Sequence, residues 1–304
     1  MRLTTDPTLR LGVPRQAGSS GAARARPVWA ILTGPYALLL LFLLIVPLAN
    51  VALFSIHRYS PTKVALPELT FDNFRKIADL YYLRLFARTL KLGLITTVIC
   101  AVLGYPLAYW LARVRPRLQA IGMFLLIMPL MVSAVIRIFG WIVILGRKGL
   151  LNEALAALGL EPVRLLYTDT AVVIGLVNVF LPFMALPLMA AIERIPPSLE
   201  EAARNLGASW YHVFRRIILP LSMPGLISGS LLVYSISISA FVTPALMGNS
   251  RERMAAQQIY DEVLVSFNWP SASSLALTLV LLTLGLMFSA LYVTRRAARL
   301  ERRR

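Results

Sequence analysis

Residues Ser198 to Pro220 read Ser-Leu-Glu-Glu-Ala-Ala-Arg-Asn-Leu-Gly-Ala-Ser-Trp-Tyr-His-Val-Phe-Arg-Arg-Ile-Ile-Leu-Pro, and this stretch decides how the rest of the chain is read. It is polar and cationic, yet it lies between two long apolar runs. Pro196 and Pro197 stiffen the approach. Ser198 with Glu201 three residues on has the spacing of a capping box. Leu199, Ala202, Ala203 and Leu206 form a narrow apolar stripe at helical period. Gly207 suits the left-handed residue that ends a helix, and Ser209 can cap a second helix running into the membrane. The spacing therefore predicts a short helix, a glycine turn and another helix against a bilayer surface. A hydrophobic protein that presents such an element to water is offering it to a partner.

The chain around it is too apolar for a soluble domain. Of 304 residues, 58% are hydrophobic and only 15% charged. That composition predicts an all-α polytopic membrane protein of about six spans. The net charge of +17 raises the question of nucleic acid. However, the Arg residues cluster at the ends of apolar runs, where topology accounts for them, and no aromatic residues interleave with them as a single-strand binder requires. The one cysteine, Cys100, sits inside an apolar run and reads as packing. His57 and His212 are isolated and have no ligand-spaced companion, so no metal site is expected. No Gly-rich phosphate loop followed by Lys-Ser/Thr is present, so the chain is not expected to hydrolyse ATP itself. An integral-membrane enzyme would need clustered Asp, Glu or His, and none is seen.

In chain order, residues 1–27 read as a disordered basic cytoplasmic arm. Residues 28–294 read as a six-helix membrane domain and residues 295–304 as a basic cytoplasmic tail. The expected spans are Val28–Ile56, broken or bent near Pro47, then Leu90–Leu111, a third contained within Leu118–Leu145, Thr170–Ile192, Leu219–Ala240 and Ala272–Thr294. A short outer helix is expected at Leu151–Leu158, and the polar loop 196–220 lies inside. With both termini inside, the inner segments hold 18 of the 31 Lys and Arg and five of the 14 acids. The positive-inside bias supports that orientation.

Several residues within the spans are candidates for lining a path. Arg137 is the one charge well inside a span, where it costs about 2.5–3.5 kcal/mol on insertion scales and so should face protein or water. Asn178 lies deep in the fourth span, where Pro182 and Pro187 bracket Phe183 and predict a kink. Ser235 and Ser239 share a face of the fifth span, and Tyr234 lies beside them. These read equally as packing and as path. Gly225 and Gly229, four apart, permit close helix approach. Trp141, Phe183, Tyr234 and Phe241 are aromatic groups that suit a weakly held cation.

The order Glu201-Ala202-Ala203, three residues, Gly207, nine residues, then Ile217-x-Leu219-Pro220 resembles the EAA loop of binding-protein-dependent ABC importers. Ser237-Ile-Ser-Ala-Phe-Val-Thr-Pro-Ala-Leu-Met-Gly248 and Asn268-Trp269-Pro270 resemble the B-type permeases of the spermidine/putrescine and opine importers. Arg147-Lys148-Gly149-Leu150-Leu151-Asn152 and Leu181-Pro182-Phe183-Met184 are similar to that subfamily as well. Met247-Gly248-Asn249 departs from it, with Met and Asn where Leu and Gly are expected.

The resemblance covers the chain from about Val28 onward. It implies a permease subunit in a bacterial inner membrane, non-catalytic, forming half of a translocation path. The expected partners are two copies of a cytoplasmic ATPase that holds ATP and Mg, a C-type permease, a substrate-binding protein outside, and membrane lipid. It implies an ATPase-coupling set of Leu199, Glu200, Glu201, Ala202, Ala203, Leu206, Gly207, Leu219 and Pro220. In that set the leucines and alanines fill the ATPase cleft, Glu201 caps the helix, Gly207 permits the turn, and Pro220 starts the fifth span. The implied cargo is a polyamine or related small amine or opine. An amino acid or iron importer remains open, as does a stand-alone channel or secondary carrier.

Overall fold

The computed structural model of the chain describes residues 22–61, 64–249 and 252–301. Its contacts divide it into residues 1–50 and 51–304. The first unit contains most of helix α1, Ala22–Ser55, which runs through Pro47 without the expected break. The expected N-terminal arm lies outside the described residues as far as residue 21.

The second unit begins with an antiparallel hairpin, β1 (His57–Ser60) and β2 (Val64–Leu69), with a bulge between His57 and Arg58. A short helix, α2 (Asp72–Ile77), follows, and its buried Asn73 donates to the carbonyls of Ser55 (3.0 Å) and His57 (2.9 Å). That single amide ties the end of α1 to the hairpin by satisfying two carbonyls that neither element can satisfy itself.

The long helices come next. They are α3 (Leu80–Arg113), α4 (Pro116–Met131) and α5 (Ala134–Leu145), with short α6 (Leu150–Ala157), then α7 (Asp169–Glu193). The predicted short outer helix is α6. After α7 come α8 (Pro197–Asn205), α9 (Trp210–Val213), a π-helical turn at Phe214–Ile218 and α10 (Leu219–Ile238). Two short helices, α11 (Val242–Met247) and α12 (Ala255–Leu264), precede α13 (Trp269–Glu301). The last runs unbroken into the residues expected to form a separate tail.

Among the described residues, five helical runs are long and apolar enough to cross a membrane: 34–55, 80–113, 169–193, 210–238 and 269–292. A sixth is supplied if the bent pair Pro116–Met131 and Ala134–Ala157 counts as one span. Helices are the expected solution, because every backbone donor and acceptor in hydrocarbon must be paired within the segment. The stretch Leu118–Leu145, expected to contain the third span, is two helices: the run breaks at Val132–Ser133 with a bend of 96°. The cause is Pro129, whose ring denies the last turn of α4 a backbone donor, followed by two residues in extended conformation. The helix expected to start after Ser209 and run into the fifth span is present, as one helical run from Trp210 to Ile238.

The core is a three-helix packing of α3, α7 and α10. Leu92, Cys100, Val172, Leu176, Phe180, Met184 and Val233 form its middle. Close approach of α10 to α7 depends on glycine. A Cβ placed on Gly225 would lie 2.4 Å from the Ala191 Cβ and 2.8 Å from the Pro187 carbonyl oxygen. One placed on Gly229 would lie 3.1 Å from the Met184 carbonyl oxygen. This is the small-residue packing expected of helices in lipid, where van der Waals contact replaces the hydrophobic effect between helices. A hydroxyl contact, Tyr105 to Ser222 at 2.6 Å, links α3 to α10 near one end of the bundle.

Candidate functional site

Helix α8 starts one residue before the predicted cap. Pro197 takes the first helical position, where its missing N–H costs nothing and its fixed φ suits the turn. Pro196 is the cap residue, and no side-chain cap bond forms. The Ser198–Glu201 capping box is therefore not built, and Glu201 is exposed. At the other end the expected turn is present. Gly207 has φ +84, the Ala208 N–H donates to the Ala203 carbonyl at 3.0 Å, and the Gly207 N–H to that of Arg204 at 2.9 Å. These are the six-to-one and five-to-two bonds of a Schellman turn.

The faces of α8 separate cleanly. Leu199 and Leu206 are 43% and 89% exposed, and Ala202 is exposed with them. Ala203 instead turns toward the bundle and packs, with Ala208, on a core of Leu111, Leu188, Ile192, Ile195, Val213 and Ile218. Beside the open stripe lies a cleft of about 570 Å³ whose walls include Ala203, Leu206, Gly207, His212, Arg216 and Ile217. A leucine left almost wholly open beside a cleft, on a segment rimmed by Arg204, Arg215 and Arg216, has the composition of a docking surface.

Glu200, not Glu201, is the structural acid. Its carboxylate is buried. Oε1 accepts from Arg113 Nε at 2.9 Å and from the Arg113 terminal nitrogen at 2.5 Å. Oε2 accepts from the Tyr109 hydroxyl at 2.9 Å. The same Arg113 nitrogen donates to the Ile195 carbonyl at 3.1 Å. The sequence reading placed Glu200 in the coupling set but did not find Arg113 or Tyr109 as its partners. Arg113 read as one of three arginines in a basic turn, and the only signal was an acid with a basic residue many positions away.

Leu219 is half-buried against the same core, and Pro220 is exposed. Pro220, expected to mark the start of the fifth span, is the second residue of α10, but α10 continues a helical run that begins at Trp210, and Pro220 follows its π turn by one residue. Proline has no N–H to give the preceding turn and its ring crowds the carbonyl there, so a widened turn just before it relieves both problems.

The path candidates are spread over α5, α7, α10 and the residues after it. Arg137 and Trp141 lie one turn apart on α5, and Trp141 packs against a cluster that joins α5, α7 and α11 through Ile138, Ala171 and Met247. Two guanidinium nitrogens of Arg137 and the amide oxygen of Asn178 are buried without a partner among the described residues. Phe183 meets Phe180 edge-on at 6.4 Å. Tyr234 lies against Gly93 of α3. The Ser239 hydroxyl donates to the Ser235 carbonyl at 3.0 Å, and this is the one side-chain hydrogen bond between two of the candidates among the described residues. Phe241 stacks on Tyr260 at 4.2 Å. The sequence missed Thr96 and Ser237, whose buried hydroxyls also lack partners. Both are small polar residues in apolar runs, and neither periodicity nor spacing marks them.

A family model described as "Binding-protein-dependent transport system inner membrane component" matches residues 104–299. The spermidine/putrescine transport system permease protein PotB of Haemophilus influenzae is 38% identical over 82% of this chain and 88% of its own length. The Escherichia coli protein of the same name is 42% identical over 76% of this chain and 83% of its own. Among solved structures, a chain of a bacterial ABC transporter that imports the acidic polysaccharide alginate superposes with a TM-score of 0.69 at 18% identity. That superposition covers 90% of this chain and 98% of the other.

Proposed function

The chain belongs to the binding-protein-dependent transport system inner membrane components, the family of ABC transporter permease subunits, and from that premise we propose that its cargo is a polyamine or a closely related small polar amine. The proposed assembly is two copies of a cytoplasmic ATPase, a second permease of related type and an extracytoplasmic binding protein, all in a bacterial plasma membrane. ATP and Mg act in the ATPase. This chain contributes no catalytic group. It converts closure of the ATPase pair into a change in which side of the membrane the path faces.

The observation that carries the mechanical part of this reading is α8: a helix whose leucine edge is open while its other face is locked to the bundle. Leu199, Ala202 and Leu206 present the surface that enters the ATPase cleft. Ala203, which the sequence grouped with them, serves the inner face. The cargo assignment rests on the resemblance to the two spermidine/putrescine permeases over three quarters of the chain or more.

The test is reconstitution of the chain with its ATPase, sister permease and binding protein in proteoliposomes. ATP-dependent uptake of spermidine or putrescine is the expected result. ATP-dependent uptake confined to amino acids, opines or iron would overturn the cargo and keep the importer. Uptake without ATP would overturn both.

A further inference from the structure

We infer that the Arg113–Glu200–Tyr109 cluster is the strut that carries the motion of α8 into α3, and that Glu200 is a positioning residue for coupling. The inference rests on the reading of α8 as the ATPase-docking helix and names how that helix is attached to the path.

Neither covalent attachment of α8 is a continuous helix. Upstream, α7 ends at Glu193, and two prolines follow that cannot continue its hydrogen bonding. Downstream, the chain leaves α8 through a glycine at φ +84, a helix of four residues and a π turn. A π turn inside a helix is a weakened place in its ladder and is frequently functional. No unbroken hydrogen-bonded helix therefore carries force from α8 into the bundle.

The side-chain route is short and stiff. Arg113 is the last residue of α3, and its guanidinium holds the loop before α8 at Ile195 and the first turn of α8 at Glu200. Both oxygens of Glu200 are occupied, one by Arg113 and one by Tyr109, one turn back on α3. The side chains of Arg113 and Glu200 are only 19% and 8% exposed. Charge-assisted bonds with two donors from one planar group fix orientation as well as distance. A buried pair of this kind is weak evidence for stability but is well suited to holding one register. α3 then packs along α7 and α10, so a displacement delivered to its end reaches the helices that carry Asn178, Phe183 and Tyr234.

The experiment uses the complete reconstituted transporter. Spin labels at Asn205→Cys on α8 and Trp110→Cys on α3, both exposed positions outside the docking stripe, report the α8–α3 distance without nucleotide and with ATP trapped. With Glu200 present, the strut keeps that distance the same in the two states. With Glu200→Gln the distance changes between states, and the substrate moved per ATP hydrolysed falls on the order of ten-fold, within the range of measured coupling factors. Tyr109→Phe, which removes one hydroxyl, gives a smaller loss in the same direction and covers the case in which Glu200→Gln does not assemble. A wild-type distance that changes with nucleotide overturns the strut, as does full coupling in both variants. If the wild-type assembly itself shows no ATP-dependent uptake, the fault lies with the importer reading instead.

Discussion

At the scale of single residues, Gly207 acts through one torsion angle. Nothing lies within 4 Å of where its Cβ would be, so a larger residue meets no wall. The cost of substitution is the left-handed backbone alone, about 1–2 kcal/mol for an ordinary L-residue, and more for a β-branched one. Gly207→Ala is expected to lower binding-protein-stimulated ATP hydrolysis, Gly207→Val to lower it further, and Gly207→Asn, which tolerates this conformation, to retain most of it. Membrane insertion should be equal in all three. Equal stimulation across the series would show that the turn is not required for coupling.

Leu206 gives the complementary case. It is 89% exposed, so Leu206→Ser removes almost nothing from the fold. Burying a leucine on a partner is worth about 1.5–3 kcal/mol, which is roughly a ten-fold or greater change in affinity. ATPase retention in a detergent pull-down should fall by that amount while the melting temperature of the permease stays put. The left-handed turn at Gly207 and the open apolar stripe were legible in the sequence, because the spacing of Leu199, Leu206 and Gly207 is local information. The division of labour between Glu200 and Glu201 was not. It is set by Arg113, 87 residues earlier in the chain, and by the proline that takes over the start of the helix.

At the scale of elements, the decisive contact is α7 against α10. Gly225 has the Pro187 carbonyl 2.8 Å and the Leu188 Cα 3.1 Å from its absent side chain, and backbone cannot step aside as a rotamer can. Gly225→Ala is expected to destabilise the bundle by about 1–3 kcal/mol, the usual cost of overpacking, and Gly225→Leu to prevent assembly. Gly285 on α13, with nothing within 4 Å of its Cβ position, is the matched control and should accept alanine. Thermal unfolding in detergent distinguishes the two sites.

Gly225 and Gly229 were legible beforehand because small residues four apart are a local pattern. The break between α4 and α5 was less so. Pro129 was visible, but Val132 and Ser133 carry no glycine or charge to say that the helix stops rather than kinks. Nor does a hydropathy run reveal that α3 begins at Leu80, ten residues before its apolar part. That first section is held by particular contacts: Thr89, which accepts from the Ala255 N–H at 2.9 Å, and Arg88, whose Nε donates to Asp169 at 3.1 Å.

At the scale of the whole molecule, the question is where a cationic cargo would find selectivity. Two acids considered for such a role are Asp169, at the start of α7, and Asp261, on the short helix α12. Both are already engaged, Asp169 by Arg88 and Asp261 by Arg253 at 2.8 Å. An acid held by an arginine is neutralised as a pair and exerts little pull on a passing amine. Asp169 is used to join α7 to α3, and Asp261 is held by the segment that leads into its own helix.

Selectivity is then expected to reside in the binding protein, with the path supplying passage past aromatic faces. Asp169→Asn therefore tests two readings at once. As a structural acid, its loss leaves Arg88 with only the exposed Glu252 carboxylate, 3.7 Å away. One Arg88 nitrogen is already buried without a partner among the described residues, so the variant should lose about 1–3 kcal/mol of stability. As a recognition acid, its loss should instead raise the KM for spermidine relative to a neutral solute while stability is unchanged. The expected outcome is a lowered melting temperature with the ratio of the two KM values unaltered. A shifted ratio in a protein of normal stability would place cargo recognition within this chain.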